Sequence, residues 1–390
     1  MTKECKTLFI LTTLCGSLLF FNCKENQPIG ETDSENTNNW MFDAFVKVDS
    51  INPILKPSNA LNFIDPITTS KVNWEERNVL NPTAVVKDNK VYLMYRAQDL
   101  NGTSRIGMAV SDDGLHFDKM ASPVLFPDND DMKPYEWNYK KDGKEQENSE
   151  DCYFCYFDGV EDPRIIEGES GDYIMTYTAY DGKTARLSIA SSKDLKTWTK
   201  HGLVFKSEKY IDMWSKSGAI VSELKGNKMI AKKIHGKYWM YFGDTNLYMA
   251  SSSDLIHWEI AENEESNKPI SVLHPRMGYY DSRLVEPGPY ALYKEEGILL
   301  IYNASNAANF NDSTLPKFTY AAGQALFDKN MPYKLIDRTE SYFIHPDKDY
   351  EKIGEVNEVC FVEGLVYFKN QWFLYYGTAD SKIAVATSNK

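Results

Sequence analysis

Residues 158–166 read Asp-Gly-Val-Glu-Asp-Pro-Arg-Ile-Ile, so Glu161, Asp162 and Arg164 crowd together just before a strand-like run. Two adjacent carboxylates repel each other and need a partner, here Arg164, to hold both in one geometry. By itself such a cluster is either a salt-bridged turn or part of an acid/base site, because structural ion pairs also perturb carboxylates. Comparable polar groups stand in other apolar segments: Asn81 in Asn-Pro-Thr-Ala-Val, Lys216 in Lys-Ser-Gly-Ala-Ile-Val, Asp281 and Glu286 in Asp-Ser-Arg-Leu-Val-Glu-Pro-Gly-Pro. Carboxylates alternating with Arg and Lys around an aromatic-lined pocket suit sugar chemistry. They supply acceptors and donors for hydroxyls, aromatic faces for ring C–H groups and two acids for cleavage. Asp99 and Glu363 read as surface or structural residues. His235, His257 and His274 lack metal-ligand spacing and read as solvated or structural; the chemistry calls for no metal and no cofactor.

Groups this far apart in sequence need a scaffold that converges them, and an internal repeat provides one. An aromatic-rich strand, a polar turn, a strand of small and β-branched residues, then Ser-Asp-Leu and an aromatic recur along the chain. The repeats begin at Val91, Tyr173, Tyr238, Ile298 and Trp372; the fourth carries a long insertion and the fifth runs to the C-terminus. Five strand-rich units, none able to bury both faces alone, predict an all-β five-bladed β-propeller over residues 41–390. The last unit has too few strands, so a segment near residues 42–60 is expected to complete it. Inner strands of a propeller surround a channel, which brings one polar group from each blade to a common place.

Composition agrees with this reading. The 390 residues include 25 Tyr, 19 Phe and 8 Trp, an aromatic-rich content that favours short-stranded β structure over disorder. A formal charge of −13 argues against nucleic acid and anionic membrane surfaces as partners, since both need a basic face. At the N-terminus, Lys3 and Lys6 precede an apolar run from Leu8 to Phe21, which reads as a secretory signal. Leu-Leu-Phe-Phe-Asn-Cys resembles a bacterial lipoprotein signal, which implies a signal peptide over residues 1–23, a lipidated Cys23 as membrane tether and a flexible linker over 24–40. The expected location is periplasmic or at the cell surface. Cys152 and Cys155 read as loop or packing residues, with a local disulfide as the alternative.

The segments Asn-Pro-Thr-Ala, Tyr-Arg-Ala, Gly-Val-Glu-Asp-Pro-Arg-Ile, Tyr-Thr-Ala-Tyr-Asp-Gly and His-Gly-Lys-Tyr-Trp-Met-Tyr, in this order, resemble glycoside hydrolase family 130 over residues 75–390. The resemblance implies a five-bladed propeller acting on β-mannosides by phosphorolysis or by inverting hydrolysis. It makes Asp162 the proton donor, acting through a mannose hydroxyl, and gives Asn81, Arg96, Lys216 and Asp281 the terminal mannose to hold. Glu161 and Arg164 become positioning partners of Asp162. Phosphorylases of the family carry a His-Arg pair where this chain has Gly243-Asp244, and small neutral residues where it has Glu286. Two lost cations and two gained carboxylates point to hydrolysis, with Glu286 as base and Asp244 in support. The expected activity is an exo-acting inverting β-mannosidase on β-1,2-linked manno-oligosaccharides. A β-mannoside phosphorylase is the first alternative, and a non-catalytic glycan-binding lipoprotein the second. Nothing in the sequence fixes an oligomeric state.

Overall fold

The computed structural model describes residues 40–143 and 156–388. Residues 1–39, and with them the signal, Cys23 and nearly all of the linker, lie outside the described residues, as do Cys152 and Cys155. Trp40, placed at the end of the linker from the sequence, is instead buried in the core, where its indole donates to Asp337 at 3.2 Å. Among the described residues the regular secondary structure is nearly all strand, with two α-helices of a single turn at Lys133–Glu136 and Asp349–Lys352 and a 3-10 turn at Tyr139–Asp142.

The strands pair antiparallel in five successive runs. The first comprises Asn78–Lys87, Lys90–Gln98, Thr103–Ser111 and Asp118–Lys119. The second comprises Asp158–Glu167, Tyr173–Tyr180, Ala185–Ser192 and Thr199–Leu203. The third comprises Gly218–Lys225, Lys237–Phe242, Leu247–Ser252 and Trp258–Ile260. In the fourth, Leu284–Pro287 and Ala291–Tyr293 share the neighbour Ile298–Ser305, followed by Tyr320–Phe327 and Leu335–Arg338. The fifth joins Cys360–Phe368, Gln371–Thr378 and Lys382–Ser388, and Val46–Lys47 adds an N-terminal strand at its edge.

Two features of the repeated sequence explain why each run folds alike. The Ser-Asp-Leu element is a turn in which one aspartate oxygen accepts two successive backbone N–H groups at 2.8–2.9 Å: Asp113 from 115 and 116, Asp194 from 196 and 197, Asp254 from 256 and 257. His116 and His257 pair with these same aspartates on the surface, so His257 is solvated as expected. The aromatic-rich strand of every run carries a fully buried tyrosine at a corresponding place: Tyr95, Tyr177, Tyr241, Tyr302 and Tyr375. A buried phenol needs an acceptor, and each has one, respectively Glu75, Glu136, Pro332 O, Asp281 and Gly114 O at 2.7–3.0 Å.

The first strands of the runs meet one another. The first strand of the second run also pairs in parallel with Thr103–Ser111 of the first run, and there Gly159 has a left-handed φ of +117° and a Cβ would lie 2.2 Å from Ser104 O. Only glycine fits this close approach, and Glu161 and Asp162 follow two and three residues later. Gly159→Ala is therefore expected to lower stability by about 2 kcal/mol or more through overpacking and backbone strain, measured as a fall in the chemical denaturation midpoint at unchanged m-value. An unaltered midpoint would show that this junction is looser than its geometry.

Candidate active site

Two of the convergent strands contain the same local device. In the ladder of Asn78–Lys87 the register shifts between Leu80 and Pro82, and in that of Asp158–Glu167 between Glu161 and Arg164. The residues left over at these bulges, Asn81 and Asp162, both have left-handed φ, +48° and +51°, and both precede a proline. A bulge re-aims a side chain, proline tolerates the broken ladder because it has no N–H to pair, and Asn and Asp are the side chains that best accept left-handed φ. Backbone strain of this kind persists where the surroundings over-determine it. Here it points the two side chains at each other, and Asn81 Nδ2 donates to Asp162 Oδ1 at 2.8 Å.

Cations surround the buried carboxylates. Arg96 approaches Glu161 at 2.7 Å and Asp162 at 3.4 Å, and Lys216 lies 3.8 Å from Glu161. Arg164 runs underneath. Its guanidinium donates to the backbone carbonyl of Asp162 at 2.9 Å, to Pro287 O at 2.9 Å and to Gly288 O at 3.1 Å, and it pairs with Glu363 at 2.8 Å. It therefore ties the strand of Asp162 to the strand of Glu286, whose carboxylate lies 3.9 Å away. Ser217, next to Lys216, donates a short hydrogen bond to Glu286. Glu363, read as surface or structural, is structural: it is 1% exposed and serves as counter-ion to Arg164.

A cavity of about 400 Å³ opens over these groups. Asn81, Arg96, Asp162, Lys216, Asp244 and Glu286 all line it. Glu161 and Arg164 do not; Glu161 faces an adjoining recess of about 240 Å³, and both act on the cavity from behind its wall. Asp281 is a correction. It is fully buried away from the cavity, accepts from the repeated tyrosine Tyr302 and pairs with Arg276 at 2.7 Å and Arg338 at 2.6 Å. It thus fills the acceptor place that Glu75 and Glu136 fill in the first two runs. Asp99 likewise pairs with the buried Arg105 at 2.8 Å.

The sequence reading missed Trp214, Arg283, Tyr320, Phe361 and Asp380 in the cavity wall. Asp380 sits in the three-residue turn between Gln371–Thr378 and Lys382–Ser388, where Ala379 and Asp380 both have positive φ, as the two central residues of a type I′ turn do, and Ser381 N–H donates to Thr378 O at 3.0 Å. Nothing in its sequence neighbourhood distinguishes it from any other hairpin aspartate. Arg283 lay inside the segment around Asp281 and Glu286, which was the available signal. Asp244 accepts from the Trp214 indole at 2.9 Å. Among the described residues no group of three or more His, Cys, Asp or Glu side chains is arranged to hold a metal ion.

Electrostatics sets the carboxylates apart. Burial pushes Glu286 up to about 8, Asp244 reinforces the push, and Arg164 and Lys216 offset only part of it. Burial also acts on Asp162, but Arg96, Lys216, Arg164 and the Asn81 amide together outweigh it and hold Asp162 below the ordinary carboxylate range. Burial opposes the charge on Lys216, yet Glu161 and Asp162 outweigh it and raise the ammonium pKa. Burial lifts Asp380 to about 6, with Arg96 offsetting part of the rise. Two carboxyl groups facing one cavity with separated affinities can share a single proton near neutral pH. The higher proton affinity of Glu286 favours that proton on Glu286 over Asp162.

A cavity that sets aromatic side chains beside three cations and four carboxyl groups, with Glu286 raised and Asp162 lowered in proton affinity, is the equipment of an enzyme acting on neutral sugars. The family model described as beta-1,4-mannooligosaccharide phosphorylase matches residues 51–390, and the chain belongs to this family, glycoside hydrolase family 130. A 1,2-beta-oligomannan phosphorylase of Thermoanaerobacter sp. strain X514 is 29% identical over 324 residues, spanning 80% of this chain and 90% of that protein. Among solved structures, a glycosyl hydrolase from Bacteroides ovatus is 39% identical with a TM-score of 0.82, over 90% of this chain and 94% of that one. Another, 40% identical with a TM-score of 0.83 over 90% and 95% of the two chains, is described as showing that the family contains glycoside hydrolases that target β-1,2 mannosidic linkages in Candida mannan.

Because Asp244 helps to raise Glu286, removing its charge lets Glu286 ionise more readily. Carboxyl 13C NMR, with Glu286→Gln to assign the signal, is expected to show Glu286 titrating near 8, and the Asp244→Asn variant to move that midpoint to lower pH. An unmoved midpoint would separate the two carboxylates electrostatically.

Proposed function

We propose that the chain removes terminal mannose from β-mannosides, in particular β-1,2-linked manno-oligosaccharides, by inverting hydrolysis on a five-bladed propeller. The five antiparallel runs with convergent first strands support the propeller. The observation that carries hydrolysis is the placement of Glu286 and Asp244 in the same cavity wall as Asp162. In this reading Asp162 delivers a proton to the leaving oxygen through a mannose hydroxyl as the C1–O bond breaks. Glu286, supported by Asp244, takes the proton of a water that attacks C1 from the opposite face, so the β-mannoside yields α-mannose. Asn81, Arg96, Lys216 and Asp380 supply hydrogen bonds to the terminal sugar.

This order of proton affinities is the reverse of the one the reaction uses. The working form, with Asp162 protonated and Glu286 ionised, is the minor partner of a one-proton population. Activity is therefore bounded on the alkaline side by loss of that proton near pH 8. Phosphorolysis is the second reading. The named activities of relatives such as the Thermoanaerobacter proteins favour it. So does Arg283, a guanidinium in the cavity wall with no hydrogen-bond acceptor among the described residues, which together with Lys216 offers charge to an incoming phosphate. We also propose, from the N-terminal sequence, that the protein is exported and tethered through Cys23.

The acceptor is decided by incubating the enzyme with β-1,2-mannobiose with and without phosphate. Phosphate-independent release of mannose is expected; mannose 1-phosphate as the main product would establish phosphorolysis instead. Asp162→Asn and Glu286→Gln should each lower kcat by roughly 10²–10⁴ while retaining binding of the disaccharide. A wild type that binds the sugar but never turns it over would make this a binding protein. Labelled fatty acid should be incorporated into the wild type and not into Cys23→Ser; no incorporation into either would remove the tether.

A further inference from the structure

Beside the cavity mouth the surface carries an unusually apolar patch. Met277 and Phe310 are each 77% exposed, Phe318 is 49% exposed and Tyr279 is 37% exposed. They come from two loops, 274–283 and 306–319, the latter being the insertion that marks the fourth sequence repeat. The loops are bound together: Gly278 N–H donates to Phe310 O at 2.7 Å, and Ala307 N–H donates to Ser282 Oγ at 2.9 Å. The longer loop is braced from within by the buried Asn306. Its amide donates to the carbonyls of Asp312, Leu315 and Pro316 at 3.0–3.2 Å and accepts from Asp312 N–H at 3.0 Å. A loop that is merely loose needs no such brace, and large apolar side chains held out on a braced loop beside a pocket mark an interaction surface.

Guanidinium groups accompany the rings. Arg276 lies 4.3 Å from the Tyr279 ring centroid and Arg283 lies 5.2 Å from that of Phe318. Arg283 also lines the catalytic cavity, and Tyr320, two residues after Phe318, does the same. The patch is thus continuous with the cavity wall, and it alternates apolar faces with hydrogen-bond donors. A pyranose chain presents the matching alternation of C–H faces and hydroxyls. A buried protein interface would instead favour a continuous apolar centre with its charges kept to the rim.

We propose that this platform, with Phe310, Met277 and Phe318 as its apolar faces, binds the second and later sugars of a β-mannoside chain whose terminal unit occupies the cavity. This rests on the cavity taking a terminal mannose, and it makes the enzyme selective for chain length. The hydrogen bonds that brace the two loops reduce the ordering entropy lost when the chain docks.

The test compares β-1,2-linked mannobiose and mannotetraose as substrates for the wild type and for Phe310→Ala combined with Met277→Ala, both at exposed positions. The tetraose-to-biose ratio of KM is expected to rise about tenfold, the scale of losing one well-placed aromatic contact, and Phe310→Tyr, which keeps an aromatic face, should restore most of it. An unchanged ratio overturns the proposal. So does a variant whose only change is its oligomeric state by light scattering, since the patch would then be an interface between copies of this chain. Calorimetric binding of both sugars to Asp162→Asn, with and without the platform substitutions, separates this from the cleavage reading. Length-selective binding that the substitutions abolish upholds the platform even if no turnover is found.

Discussion

The site depends on one buried guanidinium. Arg164 reaches the carbonyls of Asp162, Pro287 and Gly288 and the carboxylate of Glu363, so one planar group fastens strands from the second, fourth and fifth runs. Without it the cavity floor would hold Glu286, Glu363 and Asp162 with too little positive charge to offset their desolvation and mutual repulsion. Its donors lie in fixed directions, which lysine could not reproduce. Arg164 does not line the cavity, yet it sets the relative position of Asp162 and Glu286, which do.

Around that floor, charge is graded. Arg96 and Lys216 stand on the side of Asp162 and keep it ionised, whereas Glu286 has only a distant contact to Arg164, a hydroxyl partner in Ser217 and the carboxylate of Asp244 for a neighbour. The result is a cavity whose two faces differ in proton affinity before any sugar enters. A neutral substrate adds no charge of its own, so the protein supplies the whole of this asymmetry. An incoming phosphate would meet Asp244 and Glu286 as obstacles and Arg283 and Lys216 as aids, and the balance between them determines the acceptor.

Much of this was legible in the chain. The repeated aromatic strand and its Ser-Asp-Leu turn are local devices, a buried tyrosine and an aspartate capping two backbone N–H groups, and local devices leave a periodic trace. The bulges at Asn81 and Asp162 were not read from the chain, although each of these residues stands before a proline. Asp281 misled because its segment reads like that of Glu286, although it serves the buried tyrosine of its run and not the cavity. Arg283 and Asp380 were overlooked because an arginine beside a strand and an aspartate in a hairpin turn are unremarkable until the neighbouring runs are in place.

The sequence by itself determined the all-β architecture and the fivefold repeat, which are written in residue types at short spacing, and its ordered motifs carried the resemblance to the family, which in turn implied Asp162 and Glu286 as the carboxylates to watch. Only the tertiary structure decided which charges share a cavity, that Glu161, Arg164 and Glu363 work from behind its wall, and that Glu286 is raised and Asp162 lowered in proton affinity. Those are properties of distance and burial among residues up to about two hundred positions apart. Coulomb interaction and desolvation depend on where groups lie in space, and no spacing along the chain encodes them.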